Sequence, residues 1–277
     1  MPVPVIAIML FSAALSASWN AVIKGAGNKL NMTILMIGAA GLLGALALPF
    51  LARPAPAAWP FLAASAACSV GYYVVVARAY HVADLSQTFP IMRGAAPLLV
   101  ALTSRMALGE GLSGPAWIGI AMISSGILCL AASSLRARAP GLGLALVNAV
   151  LIAAYTLIDG RGVRVSGAPL TYCMWVYVLT SVPLVGWACA SRRSGFARYA
   201  LQRWRLGLGG GVVAIVIYIT TLWAMTVAPV AIVAALRETS ILFTVALSAF
   251  VLKERVGLRR AAMVCAIAGG VMVLRLA

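Results

Sequence analysis

The chain has 277 residues, 64% of them hydrophobic and only 9% charged, with a mean hydropathy of +1.05. A soluble domain of this length needs more polar surface than that, so the composition excludes one and reads as an integral membrane protein. The net charge of +16 does not point to nucleic acid, because the basic residues fall in short clusters between apolar runs, as the loop charges of membrane proteins do.

A membrane-spanning helix needs roughly 20 apolar residues. Ten runs are expected to span, at about 3–24, 30–52, 57–79, 84–107, 114–133, 141–160, 169–190, 207–228, 230–252 and 258–275. Residues 1–10 carry no basic n-region and no small-residue cleavage site, so insertion is expected to rely on the first helix itself. That helix sets Ser12, Ser16, Trp19, Asn20 and Lys24 on roughly one face. Such a stripe fits a substrate-lined cavity. It fits equally well interhelical hydrogen bonds, with Trp19 in an interfacial aromatic belt. Tyr72, Tyr73 and Tyr80 in the third run read more readily as bundle packing than as substrate contacts.

The fourth run holds Arg93, with Ser104 on the same face and Pro90 and Pro97 nearby. A charge at this depth costs several kcal/mol and is kept where it faces a cavity or a partner. The partners to weigh are Asp84, Asp159 and Glu238. The sixth run places Asn148, Tyr155, Thr156 and Asp159, again a polar stripe with an aromatic; the eighth carries Tyr218 and Trp223. In the ninth, Arg237, Ser240, Thr244 and Ser248 recur in steps of three and four, which puts them on one face. Glu238 and Asp159 are candidate coupling carboxylates, with a structural ion pair as the competing reading for Glu238 beside Arg237. Glu110 and Glu254 end their helices and are expected to pair with Arg105 or Arg255, where exposed pairs contribute little.

The five cysteines have no metal or redox spacing and read as small apolar packing residues. A single histidine, His81, offers no His-based cluster. No Ser/His pair, paired aspartates, metal signature or Walker-type loop lies within the spans. Neither an enzyme nor a bound cofactor or metal is expected.

The chain repeats itself. Setting Arg93 on Arg237, an offset of 237 − 93 = 144, also sets Ser104 on Ser248, Glu110 on Glu254, Ile123 on Ile267 and Gly126 on Gly270. The expected domains are residues 1–135 and 139–277, five helices each. An odd helix number inverts the second half relative to the first, which is the plan of secondary transporters with a site near the midplane. The fold expected is therefore all-α and integral to the membrane, with ten transmembrane helices as two inverted five-helix repeats around a central cavity.

The stretches "SASWNAVIK", "PIMRGAAPLLVALTSRMALGE", "AAYTLIDGRGVR" and "ALRETSILFTVALSAFVLKE" resemble the drug/metabolite transporter superfamily, EamA type, over essentially the whole chain. The repeated L-x-E after helices 4 and 9 is the most specific part of the resemblance. It implies a transporter of small metabolites, often amino acids, driven by protons or by exchange, in the cytoplasmic membrane of a bacterium, as a monomer or homodimer. It also implies both termini inside. The charges argue otherwise: connections 1–2, 3–4, 5–6, 7–8 and 9–10 hold 14 Lys and Arg, against 5 on the other side, Arg53, Arg105, Arg161, Arg164 and Arg275. By the positive-inside rule both termini are then outside, the orientation preferred here.

The expected substrate is a small carboxylate-bearing metabolite, amino acids first, because the guanidinium fork matches a carboxylate. The residues expected to bind it are Arg93, Arg237, Trp19, Asn20, Tyr155, Ser240, Thr244 and Tyr80. Two symmetry-related arginines would also suit a phosphonate or sugar phosphate, and a flippase of a lipid-linked sugar is a further alternative.

Overall fold

A computed structural model describes residues 2–82, 85–132, 141–250 and 257–277. Within them the secondary structure is helical: α1 (Val3–Gly25), α2 (Lys29–Ala47), α3 (Trp59–Val82), α4 (Leu85–Leu108), α5 (Gly114–Ala132), α6 (Leu142–Ser166), α7 (Pro169–Val227), α8 (Val230–Arg237), α9 (Ser240–Phe250) and α10 (Leu258–Arg275). Eight stretches are long and apolar enough to cross a membrane, and the apolar helices Gly114–Cys129 and Ala261–Arg275 are shorter. The protein is an all-α membrane protein.

Local signals account for many of the helix ends. The Asn28 side chain accepts from the Asn31 backbone N–H and caps α2. Pro169 opens α7, where its missing N–H costs nothing. Gly109 and Gly167, at φ of 71° and 64°, follow α4 and α6 in the left-handed region that favours glycine.

Two elements differ from the sequence expectation. The basic stretch between the seventh and eighth runs, expected to be a loop, is helical, so α7 is assigned unbroken over 59 residues. Laid straight, such a helix would reach about 88 Å. It folds back instead: the Tyr177 and Tyr218 rings lie 5.5 Å apart, and Tyr177 Oη donates to the Ala214 carbonyl at 2.9 Å. Two arms, Pro169–Ser191 and Gly195–Val227, therefore pack side by side. Within the basic stretch, residues 197–206, "ARYALQRWRL", hold good helix formers and neither Gly nor Pro, so this part continues the second arm as helix, while Gly195 stands where the two arms meet.

The second difference is the ninth span, which is not one helix. A turn at Glu238–Thr239 separates α8 from α9. There the backbone bonds tighten to three-residue closures, Glu238 N–H to Ala235 O and Thr239 N–H to Leu236 O. Thr239 Oγ1 also donates to the Leu236 carbonyl, at 2.6 Å, so that oxygen accepts from both the backbone and the side chain of Thr239. Irregular backbone at membrane depth is tolerated where protein buries it or a cavity adjoins it, and both hold here.

The two halves interleave rather than standing apart: α2 packs on α7, α5 on α10, and α3 and α4 on α6. Glycines permit the closest approaches. A Cβ on Gly211 would sit 2.8 Å from the Ala40 backbone nitrogen, and one on Gly41 would sit 2.0 Å from Ser181 Oγ. Small residues at such seams are how membrane helices pack when no hydrophobic effect drives them together.

Candidate functional site

A cavity of about 200 Å³ lies between the halves. α1 gives it Ser16, Trp19 and Asn20; α3 gives Ser69, Tyr72 and Tyr73; α4 gives Arg93; α6 gives Tyr155. The arms of α7 give Tyr177, Thr180 and Tyr218, and the broken span gives Arg237 and Glu238. These residues run from the middle of their helices toward the ends that meet in connections 1–2, 3–4 and 5–6, so the cavity occupies the basic side of the bundle. The opposite side is filled by a core that includes Val5, Met9, Leu62, Leu222, Met225 and the buried face of α8.

Charge is arranged unevenly inside. Arg93 Nε donates to Glu238 Oε2 in an ion pair, and an Arg93 terminal nitrogen donates to Ser240 Oγ at 3.1 Å. The pair ties α4 to the α8–α9 break and consumes one positive charge. Arg237 enters the same cavity; Tyr155, Glu238 and Tyr218 are its electrostatic neighbours, and none of them makes a salt bridge to it among the described residues. The tyrosines stack edge to face, Tyr72 on Tyr73 at 4.9 Å and Tyr72 near Tyr155 at 6.3 Å. The result is an aromatic chamber into which, among the described residues, two arginines and one glutamate project.

Asp159 stands behind the chamber wall, 1% exposed. Tyr218 donates to its Oδ2 at 2.7 Å and Tyr172 to its Oδ1 at 3.2 Å. On the closed side, Arg164 pairs with Glu110 at 2.6 Å. The same arginine donates to the carbonyls of Met225 at 2.8 Å and Ala228 at 3.1 Å, at the C-terminal end of α7. Glu110 accepts from the Val230 N–H at 2.8 Å, which places a carboxylate at the positive N-terminal end of α8.

Of the residues expected from sequence, Arg93, Arg237, Trp19, Asn20, Tyr155 and Glu238 line the cavity. Ser240 reaches it only through Arg93. Thr244 is exposed and donates to the Ser240 carbonyl. The common face of Arg237, Ser240 and Thr244 is lost because the helix turns between the first two. Glu110 pairs with Arg164 rather than Arg105, since α6 runs on past residue 160 and delivers Arg164 to that spot. The side chains of Tyr80 and Ser248, and residues Asp84 and Glu254, lie outside what the structure describes. Among the described residues no cluster of His, Cys, Asp and Glu could hold a metal. Sequence reading missed Tyr177, Thr180 and Ser69, which carry no pattern distinguishing them from packing residues.

Residues 139–276 match the model of the EamA-like transporter family. One solved crystal structure superposes with a TM-score of 0.78 over 99% of this chain and 98% of its own, at 20% identity, which speaks to the fold. No curated protein matches the sequence.

Proposed function

We propose, from the match of residues 139–276 to the EamA-like transporter family, that the protein is a secondary transporter of a small carboxylate-bearing metabolite, amino acids first, working by alternating access across the cytoplasmic membrane. The observation that carries the substrate class is the charge inside the chamber. Arg93 is held by Glu238, whereas Arg237 lines the space and makes no salt bridge among the described residues. A guanidinium fork and one positive charge suit a single carboxylate. A dianion such as a phosphonate or sugar phosphate would want both arginines, and one is engaged. The aromatic walls suit an apolar or aromatic side chain and can face an ammonium group.

Packing of α5 on α10 supports the two-repeat reading. A Cβ on Gly126 would meet Ile267, and one on Gly270 would meet Ile123. Those four residues are two pairs in the 144-residue register, so each contact is the two-fold image of the other. Alternating access then requires the filled side to open. Glu110, in the first repeat, meets Arg164 and Val230 of the second, which makes this cluster the latch of the closed side. With the basic side cytoplasmic, the chamber faces the cytoplasm.

The test is uptake into proteoliposomes of labelled neutral and aromatic amino acids, organic acids, phosphonates and lipophilic cations, with and without a pH gradient. Counterflow of L-phenylalanine or L-leucine is expected. Transport confined to phosphonates or cations would overturn the carboxylate reading.

A further inference from the structure

Two carboxylates come near the chamber, and their surroundings differ. Glu238 lines it and is neutralised by Arg93. Asp159 lies behind the lining, where the neutral phenols of Tyr218 and Tyr172 donate to it and the Ser65 hydroxyl stands beside it. The elements packed on α6, which carries Asp159, are α3, α4, α7, α8 and the short turn at Pro56–Ala58. α3 brings Cys68, α7 brings Tyr172, Cys173 and Tyr218, and α8 brings Arg237, the cation that acts on it through space. α4 carries Arg93, which is turned to Glu238; the short turn at Pro56–Ala58 carries no charge. Tyr218 thus joins Asp159 to the chamber into which Arg237 projects, the cation that the carboxylate reading assigns to the substrate.

We infer that Asp159 is the proton-binding site coupled to transport, and that a substrate carboxylate seated at Arg237 drives a proton onto it. The inference rests on the carboxylate reading above. An anion seated at Arg237 adds a second negative charge beside the buried Asp159, and one proton offsets it. Tyr218 provides the route, since it both lines the chamber and donates to Asp159. Its hydroxyl proton passes to the Asp159 oxygen, an O–H bond forms there, and the phenol oxygen takes a proton from hydronium in the chamber. Tyr218 is left as it began, and the net change is one proton moved from bulk water to Asp159. Glu238 cannot serve in this way without breaking the contact with Arg93. By reciprocity of linked equilibria, proton and substrate then favour each other's binding, so they travel together.

The experiment measures the dissociation constant of L-phenylalanine for the purified wild-type protein and for Asp159→Asn, over a pH range in which the amino acid's own groups do not titrate. Wild-type affinity should rise as the pH falls, up to tenfold per pH unit where one proton is linked. Asp159→Asn should bind with an affinity that does not change with pH. A reading that needs no variant is the infrared difference spectrum of the wild-type protein, in which added L-phenylalanine should bring up a protonated-carboxyl C=O band. Binding with no pH dependence in the wild type, an unchanged pH dependence in Asp159→Asn, or no such band would each overturn the coupling site while leaving the substrate reading intact. No binding of L-phenylalanine at any pH would instead bring down the carboxylate reading and this linkage with it.

Discussion

Arg93 and Arg237 are equivalent by register, yet they stand in different circumstances, and their variants should fail differently. Arg93→Ala leaves Glu238, 5% exposed, without its cation. Breaking a buried pair from one side is expected to cost about 3–5 kcal/mol, so the yield of monodisperse protein should fall sharply. Arg93→Met combined with Glu238→Leu removes both charges and should recover most of that yield. If the double variant is no better than Arg93→Ala, the pair is not the reason Arg93 is kept. Arg93 itself stands out in the sequence because a charge there is costly, and Glu238 was among the partners that could be weighed for it. Which of the three acids held it was not legible, because the answer depends on a helix break that lies 145 residues away and has no proline or glycine to mark it.

At the scale of elements, the seam between α2 and α7 depends on missing side chains. Gly211→Ala would push a methyl group to within 2.8 Å of backbone that cannot swing aside. Overpacking of this kind costs about 1–3 kcal/mol, and the thermal midpoint in detergent should drop while the substrate affinity of the folded fraction is retained. An unchanged midpoint would mean that the seam relaxes freely. The Glu110 latch belongs to this scale too. In a background lacking native cysteines, Ser69→Cys places a thiol in the chamber, and a membrane-impermeant reagent should reach it from the basic side alone. Adding Glu110→Gln removes the charge that holds Arg164 and caps α8, and labelling from the other side should increase. Labelling that stays one-sided would show that the ion pair does not hold the closed side. The length of α6 was underestimated because Gly160 and Gly162 look like helix ends, whereas both are glycines against Val230 and Tyr172, where a Cβ would collide.

For the whole molecule, apolar run length and charge clustering made the all-α membrane fold legible, with eight helices long and apolar enough to cross and two shorter ones. The two arms of α7 were legible as separate spans, whereas the helical state of the basic stretch between them was not, since that stretch reads as a loop by charge and as a helix by propensity. Orientation follows from the same loop charges: a reporter active only outside the cytoplasm, fused after Ala277, should be active, and a cytoplasmic reporter active there instead would reverse the topology. The central claim is that Arg237 receives a substrate carboxylate in the chamber between the repeats. Its most direct test is the affinity of L-phenylalanine for folded, monodisperse Arg237→Ala and Arg237→Lys proteins beside the wild type. Losing a charge-assisted contact is worth about 1.5–3 kcal/mol, so Arg237→Ala should bind roughly ten- to a hundredfold more weakly. Arg237→Lys, which keeps the charge without the fork, should fall between the two. Wild-type affinity in well-folded Arg237→Ala would contradict the account.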